Sequence, residues 1–158
     1  FPYTTLFRSL WTPMHAEESA LWSLDRKDGM EKAYCCFNSN ARDFARFGQL
    51  LLNNGQWDDR QLISPAYLAE ATSPDTRLVY KDLGKPNHCY GFQYWILDYK
   101  GMKIPYMRGI LGQYVFTLPE KNAVIVRLGH KRSDTYTADQ HYPDDINTWL
   151  DAAMDLLQ

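Results

Sequence analysis

The chain has too few cysteines for a disulfide framework, no excess charge of either sign and no apolar run long enough to cross a bilayer. Cys35, Cys36 and Cys89 are the only thiols in 158 residues, so they cannot all pair within the chain. Two of them are adjacent, a poor arrangement for a stapled fold, and packing before the helix at Asn40 is their expected role. Seventeen Lys and Arg against nineteen Asp and Glu give a net charge of -2. No basic field is available to hold a phosphate backbone, which argues against nucleic acid as a partner. Uncharged runs such as Gly109 to Pro119 stop well short of the roughly 20 apolar residues a membrane helix needs, and no leader pattern opens the chain. No membrane segment is expected. What remains is an ordinary globular composition, with 45% hydrophobic, 15% aromatic and 23% charged residues.

The first nine residues, FPYTTLFRS, look like the translation of a common sequencing-adapter oligonucleotide, TTT CCC TAC ACG ACG CTC TTC CGA TCT. Residues 1–9 are therefore read as a non-native scar and set aside. Residues 10–158 are read as the C-terminal part of a single domain whose upstream portion is missing.

Asn40 to Gly55 carries the clearest helix signal. Asn40 is a capping residue, Asp43 follows three positions on, and Phe44, Phe47, Leu50 and Leu51 recur at helical spacing. Arg42 and Asp43 read as surface ion-pair and cap groups. A second helix starts at Ser64 with Pro65 at its first position and Tyr67, Leu68 and Ala71 on one side. From Tyr90 to Leu97 the period changes to two, as in a strand covered on both faces. Gln113 to Leu118 and Ala123 to Leu128 form two more strands across a four-residue connection, which makes a three-stranded antiparallel meander. Lys81 to His88 reads as a surface loop. Asp144 to Leu157 places Ile146, Trp149, Leu150, Ala153 and Leu157 on one stripe that must bury against the sheet. The class is α+β, an antiparallel sheet flanked by helices.

The chemistry of common enzymes is absent from these residues. His15, His88, His130 and His141 are scattered, with no ligand spacing for a metal, and no glycine-rich phosphate loop or Gly-x-Ser-x-Gly elbow occurs. No cofactor is expected. Ser-x-x-Lys, in which a lysine one turn away activates a serine, is also missing: Arg26 follows Ser23 and Arg42 follows Ser39 at that spacing.

The string from Cys36 to Leu52, CFNSNARDFARFGQLLL, followed by NNGQW and LISPAYL, resembles the serine beta-lactamase superfamily, in its esterase and amide-hydrolase branch near class C. YGFQYWIL at Tyr90 to Leu97 and RGILGQYVFTLPEKNAVIVRLG at Arg108 to Gly129 appear in the order of that family's closing strands. ALWSLD at Ala20 to Asp25 is similar to the segment after its second catalytic motif. The resemblance spans Leu10 to Leu157 and implies an antiparallel sheet flanked by helices with the active site beside a mostly helical second lobe. It implies a serine hydrolase acting on a small-molecule ester or amide, with no cofactor. The serine, lysine and tyrosine motifs would lie in the missing N-terminal part of the same protein, so the chain alone would be inactive.

The family's third motif, usually Lys-Thr-Gly or His-Thr-Gly on a strand beside the site, corresponds to Ile104 to Ile110, which starts with neither Lys nor His. That departure weighs against beta-lactam recognition. The Gly109, Gly112, Gln113 pattern is similar to the branch containing nylon-oligomer (6-aminohexanoate-dimer) hydrolases. The resemblance gives the Ile110 N–H the role of an oxyanion donor, with Gly109 letting the backbone approach substrate. Gly109 and Gly112 read without it as a strand bulge. Arg108 is either an orienting group for a substrate anion or a surface cation, and Asn38 either projects into the cleft or serves as a turn residue. Trp22, Tyr106 and Tyr114 either line an acyl pocket or belong to the core, and Gln113 completes the set of substrate-side candidates. The rival function is a non-catalytic module of the same fold that binds peptidoglycan or another saccharide on its aromatic surface.

Overall fold

The computed structural model describes residues 7–32, 34–80, 84–138 and 141–157. Residues 1–6, most of the supposed scar, lie outside them. A π-helical turn at Phe7–Trp11 precedes a short hairpin, β1 (Leu21–Trp22) and β2 (Phe37–Asn38), and then helix α1 (Ala41–Leu52). A second small hairpin, β3 (Gln56–Trp57) and β4 (Arg60–Gln61), leads to α2 (Pro65–Ala71). A third joins β5 (Val79–Tyr80) to β6 (Lys85–Pro86). The central strands are β7 (Trp95–Tyr99), β8 (Met102–Arg108), β9 (Tyr114–Leu118) and β10 (Ala123–Arg127), and α3 (Asp145–Leu156) closes the chain. The four form one antiparallel meander in the order β10-β9-β8-β7. This is the expected α+β arrangement.

Side-chain alternation decides which helix covers which face of that sheet. The registers Trp95↔Tyr106, Tyr106↔Phe116 and Phe116↔Ile125 put these four residues on one face. Leu97, Tyr99, Ile104, Tyr114 and Leu118 share it and pack with Ile146 and Leu150 of α3 and with Tyr142. The other face carries Val115 and Val124, and α1 lies on it through Gly48. A Cβ at Gly48 would sit 2.5 Å from Val124 Cγ1 and 3.3 Å from Val115 Cγ1, closer than packed carbons approach. Leu50 on α1 turns to a second core with Trp11 and Met14, against which Phe37, Phe47 and Trp57 pack. Helix, sheet and helix thus form three layers.

The contact at Gly48 settles a sign. Replacing an interior helical glycine ordinarily gains about 1 kcal/mol of helix propensity. Here Gly48→Val forces branched carbons between α1 and β10, and overpacking of this kind costs about 1–3 kcal/mol. Urea unfolding should show a net loss, and an unchanged or raised midpoint would contradict the close approach.

Several expectations are corrected. The strand begins at Trp95, not Tyr90. Residues 90–94 make a turn in which the Gly91 N–H bonds Tyr94 O at 2.8 Å, Gln93 takes φ +63° and the Phe92 N–H bonds Ala71 O at the end of α2. The meander has four strands, because the period-two reading passed over β8, where Pro105 interrupts the alternation. Part of the expected loop at Lys81 to His88 is strand β6, with residues 81–83 outside the described ones. The buried residues of α3 are Ile146 and Leu150, while Trp149, Leu157 just past its end and Tyr67 on α2 are only partly covered. Cys35 and Cys36 are bonded to each other, with Cys36 at φ +72°.

Asp43 does more than the helix-cap group expected of it. Asn40 caps α1 through its side-chain oxygen, as expected, accepting from the Asp43 N–H at 2.8 Å. The Asp43 carboxylate, however, is fully buried. It accepts the N–H groups of Glu17 and Glu18 at 2.8 and 3.1 Å, Asn40 Nδ2 at 2.9 Å and Arg46 Nε at 3.1 Å. Burial pushes its pKa up, but these donors together outweigh burial and hold the carboxyl below the usual range. Arg42 does remain a surface group, paired with Glu17.

Candidate functional site

The β8–β9 ladder ends at Arg108↔Tyr114, so Gly109 to Gln113 leave the sheet as a turn. The Gly109 N–H bonds Gln113 O at 2.7 Å, the Gly112 N–H reaches Gly109 O at 3.4 Å, and the Leu111 N–H bonds Gln113 Oε1 at 3.1 Å. Gly112 takes φ +85°, a conformation that favours glycine. The carbonyls are held from outside the turn: Arg132 Nε donates to Ile110 O at 2.9 Å, and Arg127 Nη1 donates to Gly112 O. The Ile110 N–H, by contrast, has no hydrogen-bond partner among the described residues, and the Ile110 side chain is 80% exposed. An amide left out of ladder pairing at an open strand end is able to bind an acceptor from solution.

The other candidates divide. Gln113 is engaged at both ends of its amide, accepting from the Leu111 N–H and donating to Gly129 O, so it braces the turn and is not displayed to a substrate. A Cβ at Gly109 would run into the side chain of Gln113, so packing against Gln113, and not an approaching ligand, is the visible reason for glycine there. Tyr106 and Tyr114 are core residues under α3, each 1% exposed, which corrects their place in an acyl pocket. Tyr106 lies against the Phe116 ring at a centroid distance of 5.4 Å, and Tyr114 points its hydroxyl toward Asp145. Burial raises both phenol pKa values, that of Tyr114 to about 12 with the Asp145 carboxylate adding to the effect. Both therefore stay protonated at neutral pH.

Arg108 is half-buried, its guanidinium carbon 3.4 Å from the Trp95 ring centroid and Nη1 donating to His141 O at 3.1 Å. It is a packed cation on the α3 face of the sheet, not a displayed anion clamp. Trp22 and Asn38 sit on the β1–β2 hairpin. The Trp22 indole N–H is shared between the carbonyls of Lys32 and Cys35 at 3.0 and 3.1 Å, and exposed Asn38 donates to Cys36 O at 3.3 Å. Among the described residues, no hydrogen bond, ion pair or ring contact joins that hairpin to the Gly109–Gln113 turn. Two surface depressions, one bordered by Asn53 and Asp58 and the other by Trp11 and Glu18, include none of the candidates.

Among the described residues, no group of three or more His, Cys, Asp or Glu side chains is placed to hold a metal ion. Sequence reasoning missed Arg127 and Arg132, which grip the turn. For Arg127 a signal existed, since β10 register sets it opposite Tyr114. Nothing in the sequence marks Arg132.

No family model matches the chain, and no curated protein matches it in sequence. Among solved structures it is similar to one described as "Putative 6-aminohexanoate-dimer hydrolase from Bacillus anthracis", with 25% identity and a TM-score of 0.73. The likeness covers 96% of this chain and 37% of that one, so the chain spans well under half the length of the protein it matches. With its meander, two covering helices and turn after β8, the chain has the beta-lactamase/transpeptidase fold and resembles the C-terminal part of a hydrolase of that type.

Proposed function

We propose that the chain is part of a serine hydrolase that cleaves a small ester or amide through an acyl-enzyme, with the Ile110 N–H as one oxyanion donor. The observation that carries this is the Ile110 N–H itself, without a partner among the described residues and on an exposed residue of the turn; the Gln113 N–H also lacks one, but on a residue that is half-buried. A serine from elsewhere in the protein attacks the acyl carbon. The carbonyl electron pair moves onto oxygen, and the Ile110 N–H helps hold that negative charge. Collapse expels the alcohol or amine, which takes up the serine proton, and water then releases the acid. The nucleophile and its base come from outside these 158 residues, so the chain by itself is inactive.

A fluorophosphonate, which esterifies activated serines, separates this reading from a binding module. The intact protein should be labelled on one serine outside this chain and should hydrolyse a chromogenic short-chain ester. The 158-residue chain should do neither. An intact protein that takes no label and turns over no ester would defeat the proposal.

A further inference from the structure

We propose that Arg132 is a positioning residue for the Ile110 N–H, an inference that rests on the oxyanion role given to that group. The end of β10 and the segment after it clasp the turn through four carbonyls, two of the turn and two of the segment. Arg132 Nε holds Ile110 O at 2.9 Å, Arg127 bridges Gly112 O and Lys131 O, and Gln113 reaches Gly129 O. Of these, only Arg132 touches the residue whose N–H is offered to substrate. Its own geometry is fixed by a second bond, Nη1 to Ser133 O at 2.8 Å, and by the Tyr136 ring 4.9 Å from its guanidinium carbon.

Arg132 has no carboxylate partner among the described residues; its acceptors are neutral carbonyls. It therefore restrains the turn while keeping its full positive charge beside the point where an oxyanion forms. Both effects favour the transition state over the bound substrate: the N–H is oriented in advance, and the field is in place before charge develops. The bond fixes the Ile110–Leu111 peptide, which the Leu111 N–H also ties to Gln113 Oε1 and which adjoins the Gly109–Ile110 peptide carrying the N–H; Arg132 thus restrains that N–H through the neighbouring plane.

The test uses the intact protein and two readouts. Arg132→Ala should lower kcat roughly tenfold, the loss expected when one residue regains its backbone freedom, with KM little changed. Added guanidinium ion should restore part of the rate. Arg132→Lys keeps charge but loses the planar donor, and should fall between the two. By NMR, the order parameters of Ile110 and Leu111 should drop in Arg132→Ala from about 0.85 to below about 0.6, while those of α1 stay put. Unchanged order parameters would overturn the proposal, as would a loss that appears in KM alone or is untouched by guanidinium. If the intact protein cleaves no ester, the oxyanion reading fails, and with it the positioning role; the order parameters then still report whether Arg132 orders the turn.

Discussion

Replacing Ile110 with proline should depress kcat of the intact hydrolase by about 10²–10³ relative to Ile110→Ala, the range seen when one oxyanion donor is removed. Both substitutions remove the exposed branched side chain of Ile110, but only proline removes the N–H. The position tolerates proline better than most: the N–H has no acceptor to lose among the described residues, φ is not positive, and the preceding residue is glycine. A difference of this size amounts to about 2.7–4 kcal/mol of transition-state stabilisation. Pre-steady-state acylation of a chromogenic ester measures it directly. Equal rates for the two variants would remove the Ile110 N–H from the mechanism.

Asp43→Ala should destabilise the chain by about 3 kcal/mol, the scale for breaking a buried, hydrogen-bonded charge pair. The loss strands the N–H groups of Glu17 and Glu18 and removes one of three acceptors of Arg46, which also bonds Met14 O and Glu17. These bonds tie the stretch before β1 to the first turn of α1, so the damage should reach the Trp11 core. The pH dependence has a fixed sign. The folded carboxyl titrates below its unfolded value near 3.9, so its contribution is complete above that value and fades as pH drops through the folded one. Urea denaturation at neutral pH should show the full gap between the parent and Asp43→Ala, narrowing toward pH 2. A gap that widens in acid would show the charge to be unfavourable.

The parts of this fold legible in the sequence are those fixed by neighbours. α1 was readable because its cap, Asn40, and its partner, Asp43, are three residues apart; α2 was readable from Ser64 and Pro65. β9 and β10 fell within a residue of their expected bounds because a four-residue connection sets their register. What escaped depends on distant partners. Asp43 reads as a helix-dipole acid until the chain returns Glu17 and Glu18 to it from some 25 residues away. β8 is hidden by Pro105, tolerated because the β8–β9 ladder stops at Tyr106↔Phe116, the residue beside it. At the turn, the glycines and Gln113 stand out in the sequence, but the carbonyl contacts that Gln113, Arg127 and Arg132 make there are ones that no local pattern reveals.

The short ladder beside Pro105 has a mechanical result. β7 with β8, and β9 with β10, are hairpins of five residue pairs each, whereas only three pairs join β8 to β9. The sheet is thus two leaves joined along a spine with fewer backbone pairs, and hydrogen exchange should show opening there before either leaf comes apart. Gly109 to Gln113 form the loop that crosses the spine at one end. Whatever steadies that loop also keeps the leaves shut.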